Sequence, residues 1–528
     1  VTTFSERSPV RVGQARGMAL SGVSGTPVMV ECDISRGLPG MSIVGLGDTA
    51  VVQARDRVRS AMINSGLEWP KSRVVMSLSP ASVPKRGSGF DLPMVLAILV
   101  AQGVVPAEES RSTIVLGELG LDGTVRPVDG VLPMLLAADR AGFCRAAVPR
   151  GNGVEASRAA RVTGLEVVGL AHLRDLAPWI RGELVEGIGT CELQQRDVLP
   201  TSAPGPDLSE VCGQQEARRG LEIAAAGGHH LWLSGPPGSG KSMLAERLPG
   251  ILPPLREDEQ LETAAVLSVA GARDRLEQVW RGDRPFVAPH HSVTRAALTG
   301  GGSGRIRPGA VSIAHNGVLF IDEAPEVATG TLELLRTPME TGRIDVARHH
   351  GTVRFPARFQ LVLASNPCPC GAAEPVDCRC RGGVRDRYLH RLSGPLLDRV
   401  DLSVRTWTDP TSGLIPVDDV ASVAGESSAR VRDRVIEARD RSVHRWKRWA
   451  SNAAVPGPIL RREHPADDAG MALLQEKLRV GVVSHRGVDR TLRVAWTMAD
   501  LSGGARPGTS QVLDALELYT SPVDRAGA

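Results

Sequence analysis

The eight residues Gly235-Pro236-Pro237-Gly238-Ser239-Gly240-Lys241-Ser242 fill the phosphate-loop template G-x-x-x-x-G-K-[ST] at every fixed position. They follow a short apolar run, Leu231-Trp232-Leu233, and lead into Met243-Leu244-Ala245-Glu246-Arg247-Leu248, which reads as a helix. A strand, a glycine loop and a helix in this order predict an α/β domain that binds a nucleoside triphosphate. Glycines let the loop turn its N–H groups toward phosphate oxygens, and the helix N-terminus adds positive potential. Lys241, one of five lysines in an arginine-rich chain, is placed to reach the outer phosphates.

A chain of 528 residues exceeds one ordinary core, so two or three domains are expected. A net charge of +3 excludes a polycation, and any nucleic-acid contact must come from local patches or a ring channel. No apolar run reaches the ~18 residues of a membrane span. Val1-Thr2-Thr3-Phe4-Ser5-Glu6-Arg7 lacks the apolar centre of a secretory signal. Residence in the cytoplasm is expected, where disulfides are rare.

Three blocks are legible. Residues 1–185 mix strands (Val28-Met29-Val30-Glu31-Cys32-Asp33-Ile34; Val74-Val75-Met76-Ser77-Leu78) with helical stretches, from Thr49 to Asn64 and from Leu92 to Val100. Residues 186–207, rich in proline around position 204, read as a linker. The nucleotide block spans 208–401, and 402–528 is helical and arginine-rich, as a lid domain would be.

Some eighty residues after the loop, Val318-Leu319-Phe320-Ile321 ends in Asp322-Glu323. An acid at the end of such a strand holds Mg²⁺, and a second beside it orients and polarises the attacking water. Asp322 is therefore assigned to the metal, together with Ser242, and Glu323 to the water. A third strand, Phe359-Gln360-Leu361-Val362-Leu363-Ala364-Ser365, ends at Asn366, either a γ-phosphate sensor at the ligand edge of the sheet or a turn residue before Pro367. Arg343-Ile344-Asp345-Val346-Ala347-Arg348 and Gly351-Thr352-Val353-Arg354-Phe355 predict a β-hairpin whose tip carries Arg348, His349 and His350.

These motifs form an ordered set with Val211-Cys212-Gly213-Gln214, Ala288-Pro289-His290-His291-Ser292, Gly300-Gly301-Gly302, Asn366-Pro367-Cys368-Pro369-Cys370-Gly371 and Ser393-Gly394-Pro395-Leu396-Leu397-Asp398-Arg399. The set resembles the magnesium-chelatase-like AAA+ ATPases, and within them the ComM/YifB group, linked to natural transformation and DNA branch migration. Phe90-Asp91-Leu92-Pro93 and Gly117-Glu118-Leu119-Gly120 extend the resemblance into the first block. It implies an α/β AAA+ core with a helical lid, ATP and Mg²⁺ as ligands, and a ring, a homo-hexamer, acting on single-stranded or branched DNA. By position, Arg399 is implied as an arginine finger reaching the neighbouring subunit. Arg486 is implied as the lid's sensor 2, with Arg490 competing for that role. Residues 262–307 would be the helix-2 insert and the hairpin a pore element, making Arg348, His349 and His350 DNA contacts. A metal-insertion motor and an ATP-dependent unfoldase or protease partner are the alternatives.

The first block also resembles the proteolytic domain of Lon proteases, a ribosomal S5-like α+β fold. Aligned without gaps, Pro84-Lys85-Arg86-Gly87-Ser88-Gly89-Phe90-Asp91 puts Gly89 at the serine position and Ser88 one residue early. Asp129-Gly130-Val131 is followed by Leu132 where a lysine is required. A scaffold without protease activity is expected, the alternative being a shifted Ser88 nucleophile.

Cys368-x-Cys370 and Cys378-x-Cys380 place four thiols within thirteen positions, a ligand set for Zn²⁺, although C-x-C is tighter than the usual spacing. Arg430, Arg432, Arg434, Arg439, Arg441, Arg445, Lys447 and Arg448 share a predicted helix with Trp446 and Trp449. That combination would grip DNA and stack on bases. Asp433, Glu437 and Asp440 support i,i+4 pairing on a solvated helix instead.

Overall fold

The computed structural model describes residues 12–45, 49–85, 87–183, 205–302, 305–348, 351–372, 375–407 and 425–519. In the first domain, Val12–Ser21 turns through Gly22, at φ +63, into the antiparallel Ser24–Ser35. A two-residue hairpin turn needs positive φ, which glycine adopts freely. The sheet has seven strands in the order Gly40–Val44, Arg73–Ser79, Ser24–Ser35, Val12–Ser21, Thr113–Val115, Arg145–Pro149 and Glu166–Leu170. Its centre is antiparallel and its two ends parallel. Helix Asp91–Ala101 is buried at all positions, so it reads as apolar all round. It lies directly on the sheet at Gly13, where a Cβ would fall 2.0 Å from the Ala97 carbonyl oxygen.

The second domain is a five-stranded parallel sheet in the order Phe286–Val287, Gly317–Ile321, Phe359–Ser365, Leu231–Ser234 and Leu402–Arg405. Strands covered on both faces read as unbroken apolar runs. Leu231–Ser234 and Gly317–Ile321 are buried at every residue. Because all five strands run the same way, the phosphate loop, Asp322 and Asn366 emerge at one edge of the sheet.

Two boundaries move. Leu402–Arg405, assigned to the lid, is the fifth strand of the core and pairs in parallel with Leu231–Ser234. Four residues are too few to show a period, and the helical pattern downstream drew the boundary too early. Asp207, placed at the end of the linker, instead accepts from Ser209 N at 2.8 Å and from Ser428 N at 3.2 Å. Most of the linker (residues 186–204) lies outside the described residues.

The lid helices Ser428–Trp446, Asp468–Arg479, His485–Ser502 and Thr509–Tyr519 share one apolar cluster with the core strands, including Leu231, Val404, Val435 and Leu492. Between the two readings of helix Ser428–Trp446, this packing favours charge pairing. Arg434 pairs with Glu222 and Glu426, both at 2.7 Å, and Arg439 donates to the Ala225 carbonyl at 2.7 Å. The latter places a cation at the C-terminal end of helix Gln215–Gly227, where the dipole favours it. Arg445 pairs with Asp500, and Trp446 is buried edge-on against Trp496 at 5.7 Å. Arg434 and Arg439 therefore join this helix to the core, while Arg445 and Trp446 tie it to helix His485–Ser502 within the lid.

Residues 262–307, expected as the helix-2 insert, are folded against both domains. The segment contains the core strand Phe286–Val287, and helix Glu257–Ala270 packs on helix Val131–Arg140 of the first domain. Buried Glu155 accepts from Ser268 Oγ at 2.5 Å, and Asp129 pairs with Arg273 at 2.9 Å and Arg307 at 3.3 Å. No helix among the described residues is long and apolar enough to cross a membrane.

Candidate nucleotide site

Residues 237–243, Asp322, Glu323, Ser365 and Asn366 line a cleft of about 420 Å³. Gly238 and Gly240 adopt φ +75 and +80, and Gly240 immediately precedes helix Lys241–Ile251. At Gly235 a Cβ would lie 2.1 Å from Thr406 Oγ1, and Ser239 Oγ is hydrogen-bonded to the same oxygen at 2.6 Å. Thr406 thus anchors the loop from the fifth strand's end. Sequence reasoning missed it, because only the sheet order brings it there.

The Lys241 ammonium donates to the carbonyls of Gly235 and Pro236, both at 2.8 Å, and to Asn366 Oδ1 at 3.1 Å. Its burial holds the pKa below the ordinary lysine value, opposed by the nearby Asp322 and Glu323 carboxylates. Ser242 Oγ donates to Asp322 Oδ2 at 2.8 Å, and Asp322 Oδ1 accepts from Glu323 N at 2.9 Å. A hydroxyl and a carboxylate side by side are the hard oxygen donors that suit Mg²⁺. Residues from the phosphate loop, Asp322, Glu323 and Asn366 therefore converge as one site.

Glu323 sits at φ +46, a left-handed backbone uncommon for a side chain of its size. Its carboxylate pairs with His291 Nδ1 at 3.2 Å, and the His291 ring lies 3.9 Å from that of His290. In the sequence, Ala288-Pro289-His290-His291-Ser292 marks the family and carries no role of its own. Its position just after Phe286–Val287, at the same sheet edge, is the signal that would have flagged His291.

The two arginine candidates lie outside this cleft. Arg399, following helix Gly394–Leu397, is paired with Glu340. Arg486 is exposed and approaches Asp398 at 3.7 Å. Arg490, its competitor, is turned inward with its side chain 12% exposed: it donates to the Val400 carbonyl and lies 4.7 Å over the Tyr519 ring. Of the two, Arg486 keeps its head group accessible.

The hairpin forms as Arg343–Arg348 and Gly351–Pro356. Arg348 is exposed and has no carboxylate partner among the described residues, while His349 and His350 lie outside them. Near the Lon-like positions, Lys85 is buried and donates to the Pro80 carbonyl. Gly89 has open space where a side chain would project; the Ser88 side chain lies outside the described residues. Gly89 and Asp129 line a cavity of about 460 Å³ to which Arg305, Arg307 and Thr352 of the core also contribute, and which shares no lining residue with the nucleotide cleft.

The sulfurs of Cys368, Cys370, Cys378 and Cys380 all lie within 4.8 Å of one another, a donor set that fits a thiophilic metal.

A five-stranded parallel sheet with its phosphate loop, paired acids and strand-end amide on one edge, capped by a helical lid, defines an AAA+ core. The sequence matches the families described as "Magnesium chelatase, subunit ChlI" over residues 207–412 and "Subunit ChlI of Mg-chelatase" over 30–152. It also matches "Magnesium chelatase, subunit ChlI C-terminal" over 425–519. It is 49% identical to the uncharacterized protein Rv2897c of Mycobacterium tuberculosis over 513 residues, 96% of this chain and 98% of the relative. It is 41% identical to YifB of Escherichia coli over 483 residues, 92% of each. Competence protein ComM of Haemophilus influenzae is 38% identical over 485 residues, 92% of this chain and 93% of ComM. A stretch of 155 residues is 29% identical to Lon protease of Mycolicibacterium smegmatis, covering 28% of this chain and 19% of that protein. The chain belongs to the magnesium-chelatase-like AAA+ family, in its ComM/YifB group, with a Lon-like first domain.

Proposed function

We propose that this protein is a ring-forming ATPase that drives DNA translocation, acting as a branch-migration motor in recombination or transformation. The observation that carries the reading is the coincidence of a complete nucleotide cleft with near full-length similarity to a protein named for competence. Lys241 and the loop N–H groups bind the phosphates, Ser242 and Asp322 hold Mg²⁺, and Glu323 orients and deprotonates the water. Mg²⁺, when bound, neutralises phosphate charge. Asn366 reads the γ-phosphate, Arg399 enters the next subunit's site in a hexamer, and Arg486 closes the lid. The four cysteines beyond Asn366 hold zinc in this reading, and the protein works in the cytoplasm.

The deciding experiment is a branch-migration assay on a labelled four-way junction, with Glu323→Gln as the non-hydrolysing control. Movement of the junction with ATP by wild type alone supports the reading. ATPase stimulation by unfolded protein, with none by DNA, would replace it with an unfoldase.

Two further outcomes are expected. Arg348→Ala should weaken DNA binding and reduce the salt slope by about 1, because one phosphate contact is lost. Unchanged binding and unchanged DNA-stimulated ATPase would remove the hairpin from the DNA path. His291→Ala should lower kcat with little change in KM for ATP, since the Glu323 carboxylate loses the ring nitrogen that holds it at 3.2 Å while the phosphate loop is untouched. Equal kcat in the two proteins would show that His291 does not position Glu323.

A further inference from the structure

The four-cysteine cluster and the phosphate loop touch. Cys368 follows Asn366 by two residues, and Asn366 accepts from Lys241 Nζ at 3.1 Å. Gly371, next to Cys370, lies against Pro237 at the tip of the phosphate loop, where an added Cβ would fall 2.7 Å from both Cγ and Cδ of the proline ring. Gly371 N donates to the Cys368 carbonyl at 3.0 Å, so the backbone folds back around the thiols.

The sulfur geometry suits one ion. Cys370–Cys378 and Cys378–Cys368 are each separated by 3.7 Å, and Cys368–Cys370 by 3.1 Å. Tetrahedral ligation with Zn–S near 2.3 Å requires sulfurs about 3.8 Å apart, so of these three separations Cys368–Cys370 is the one that must open slightly. Cys368 is buried against the core, whereas the other three are partly or fully exposed, giving an ion access from solvent.

We propose that Cys368, Cys370, Cys378 and Cys380 bind one zinc ion and that the loaded knuckle is a strut against Pro237 and Asn366, making nucleotide affinity depend on the metal. The proposal rests on the ATPase reading above. In the strut, the tetrathiolate fixes the turn that carries Gly371. Gly371 bears on the phosphate loop at Pro237, and Thr406 anchors the same loop at Gly235 and Ser239, so the loop is held at separate points. Without the ion, the chain between Asn366 and Cys380 loses its cross-link, and both contacts to the nucleotide site slacken.

The test measures zinc content, the spectrum after cobalt substitution, and ATP affinity in a Glu323→Gln background that prevents turnover. The parent chain is expected to hold one zinc and to show the charge-transfer bands of a cobalt tetrathiolate. The double variant Cys378→Ser, Cys380→Ser should lose the metal and bind ATP about tenfold more weakly or worse. Gly371→Ala should keep its zinc yet bind ATP more weakly, because its methyl group strikes Pro237. Adding Pro237→Ala to Gly371→Ala should restore affinity by making room.

Zinc retained in the double-serine variant would overturn the metal site. Zinc lost with ATP affinity unchanged, or Gly371→Ala binding ATP like its parent, would overturn the strut. A parent chain that holds zinc but binds no ATP would refute the ATPase reading and the strut together.

Discussion

Replacing Lys241 by alanine is expected to lower the ATP turnover rate by at least ~10²-fold, the scale on which removing one preorganised donor to a developing anion acts. The side chain is positioned for that task by the fold. It emerges at the first residue of helix Lys241–Ile251 and is held by two loop carbonyls and Asn366. Lys241→Ala should keep the melting temperature close to wild type, because the cleft is open to water and the loop remains anchored at Thr406. The same variant tests the shared site. If Arg399 acts on the neighbouring subunit, Lys241→Ala and Arg399→Ala proteins are each inactive alone but regain ATPase activity when mixed. An intact loop on one subunit then meets an intact finger on the next. Mixtures as inactive as either parent would confine Arg399 to its own chain, and turnover by Lys241→Ala near the wild-type rate would remove the lysine from catalysis.

Asp401→Ala is expected to destabilise the protein by about 3–5 kcal/mol, the range for removing one partner of a buried ion pair. Asp401 pairs with His229 Nδ1 at 3.0 Å and approaches Arg490 Nε at 4.0 Å. His229 Nε2 in turn contacts Thr497 Oγ1 on the lid helix His485–Ser502 at 2.8 Å. Without the carboxylate, the largely buried Arg490 guanidinium loses its counter-charge at the junction of core and lid. Thermal or denaturant unfolding measures the loss, and a change below about 1 kcal/mol would show that water replaces the carboxylate there.

The same junction sets an acid limit. Burial alone would raise the Asp401 carboxyl, but the His229 hydrogen bond and the charges of Arg493 and Arg490 prevail and bring it to about 2. Its contribution is complete above the ordinary carboxyl range and is lost as pH falls from about 4 toward 2. His230 acts earlier: burial lowers its pKa to about 4, and its Nδ1 must stay unprotonated to accept from Leu361 N at 2.9 Å. The unfolded chain takes up this proton below about 6.5, so stability declines between pH 6.5 and 4, by up to ~1.4 kcal/mol per pH unit. His230→Asn should flatten that part of the stability curve. A wild-type profile level from pH 7 to 4.5 would contradict the assignment.

Much of the site was legible before folding was considered, because its chemistry is local in the chain. The loop, its lysine and the adjacent serine occupy eight consecutive residues, and Asp322 and Glu323 close an apolar run that reads as a buried strand. The hairpin was readable from two alternating segments around a turn. Helix Ser428–Trp446 stays ambiguous in the sequence, since arginines and tryptophans on one helix suit DNA and a packed interface equally. Only their neighbours, Glu222, Glu426 and Asp500, distinguish the two. Leu402–Arg405 was lost to the lid because a strand of four residues has no period to detect. His291 and Thr406 carry no local motif of their own chemistry and are recognised by proximity alone.

By itself the sequence determined the phosphate loop, the paired acids, the four-cysteine spacing and the family to which they belong. Each rests on residue types at fixed short separations, which the backbone converts into geometry without help from distant segments. Tertiary structure decided what no spacing encodes: His291 at Glu323, Gly371 against Pro237, Arg490 turned inward with Arg486 left outside, and Arg434, Arg439 and Arg445 held by core and lid partners. Those contacts join residues tens to hundreds of positions apart. They exist because the parallel sheet gathers its carboxyl ends at one edge and the lid closes over a shared apolar core.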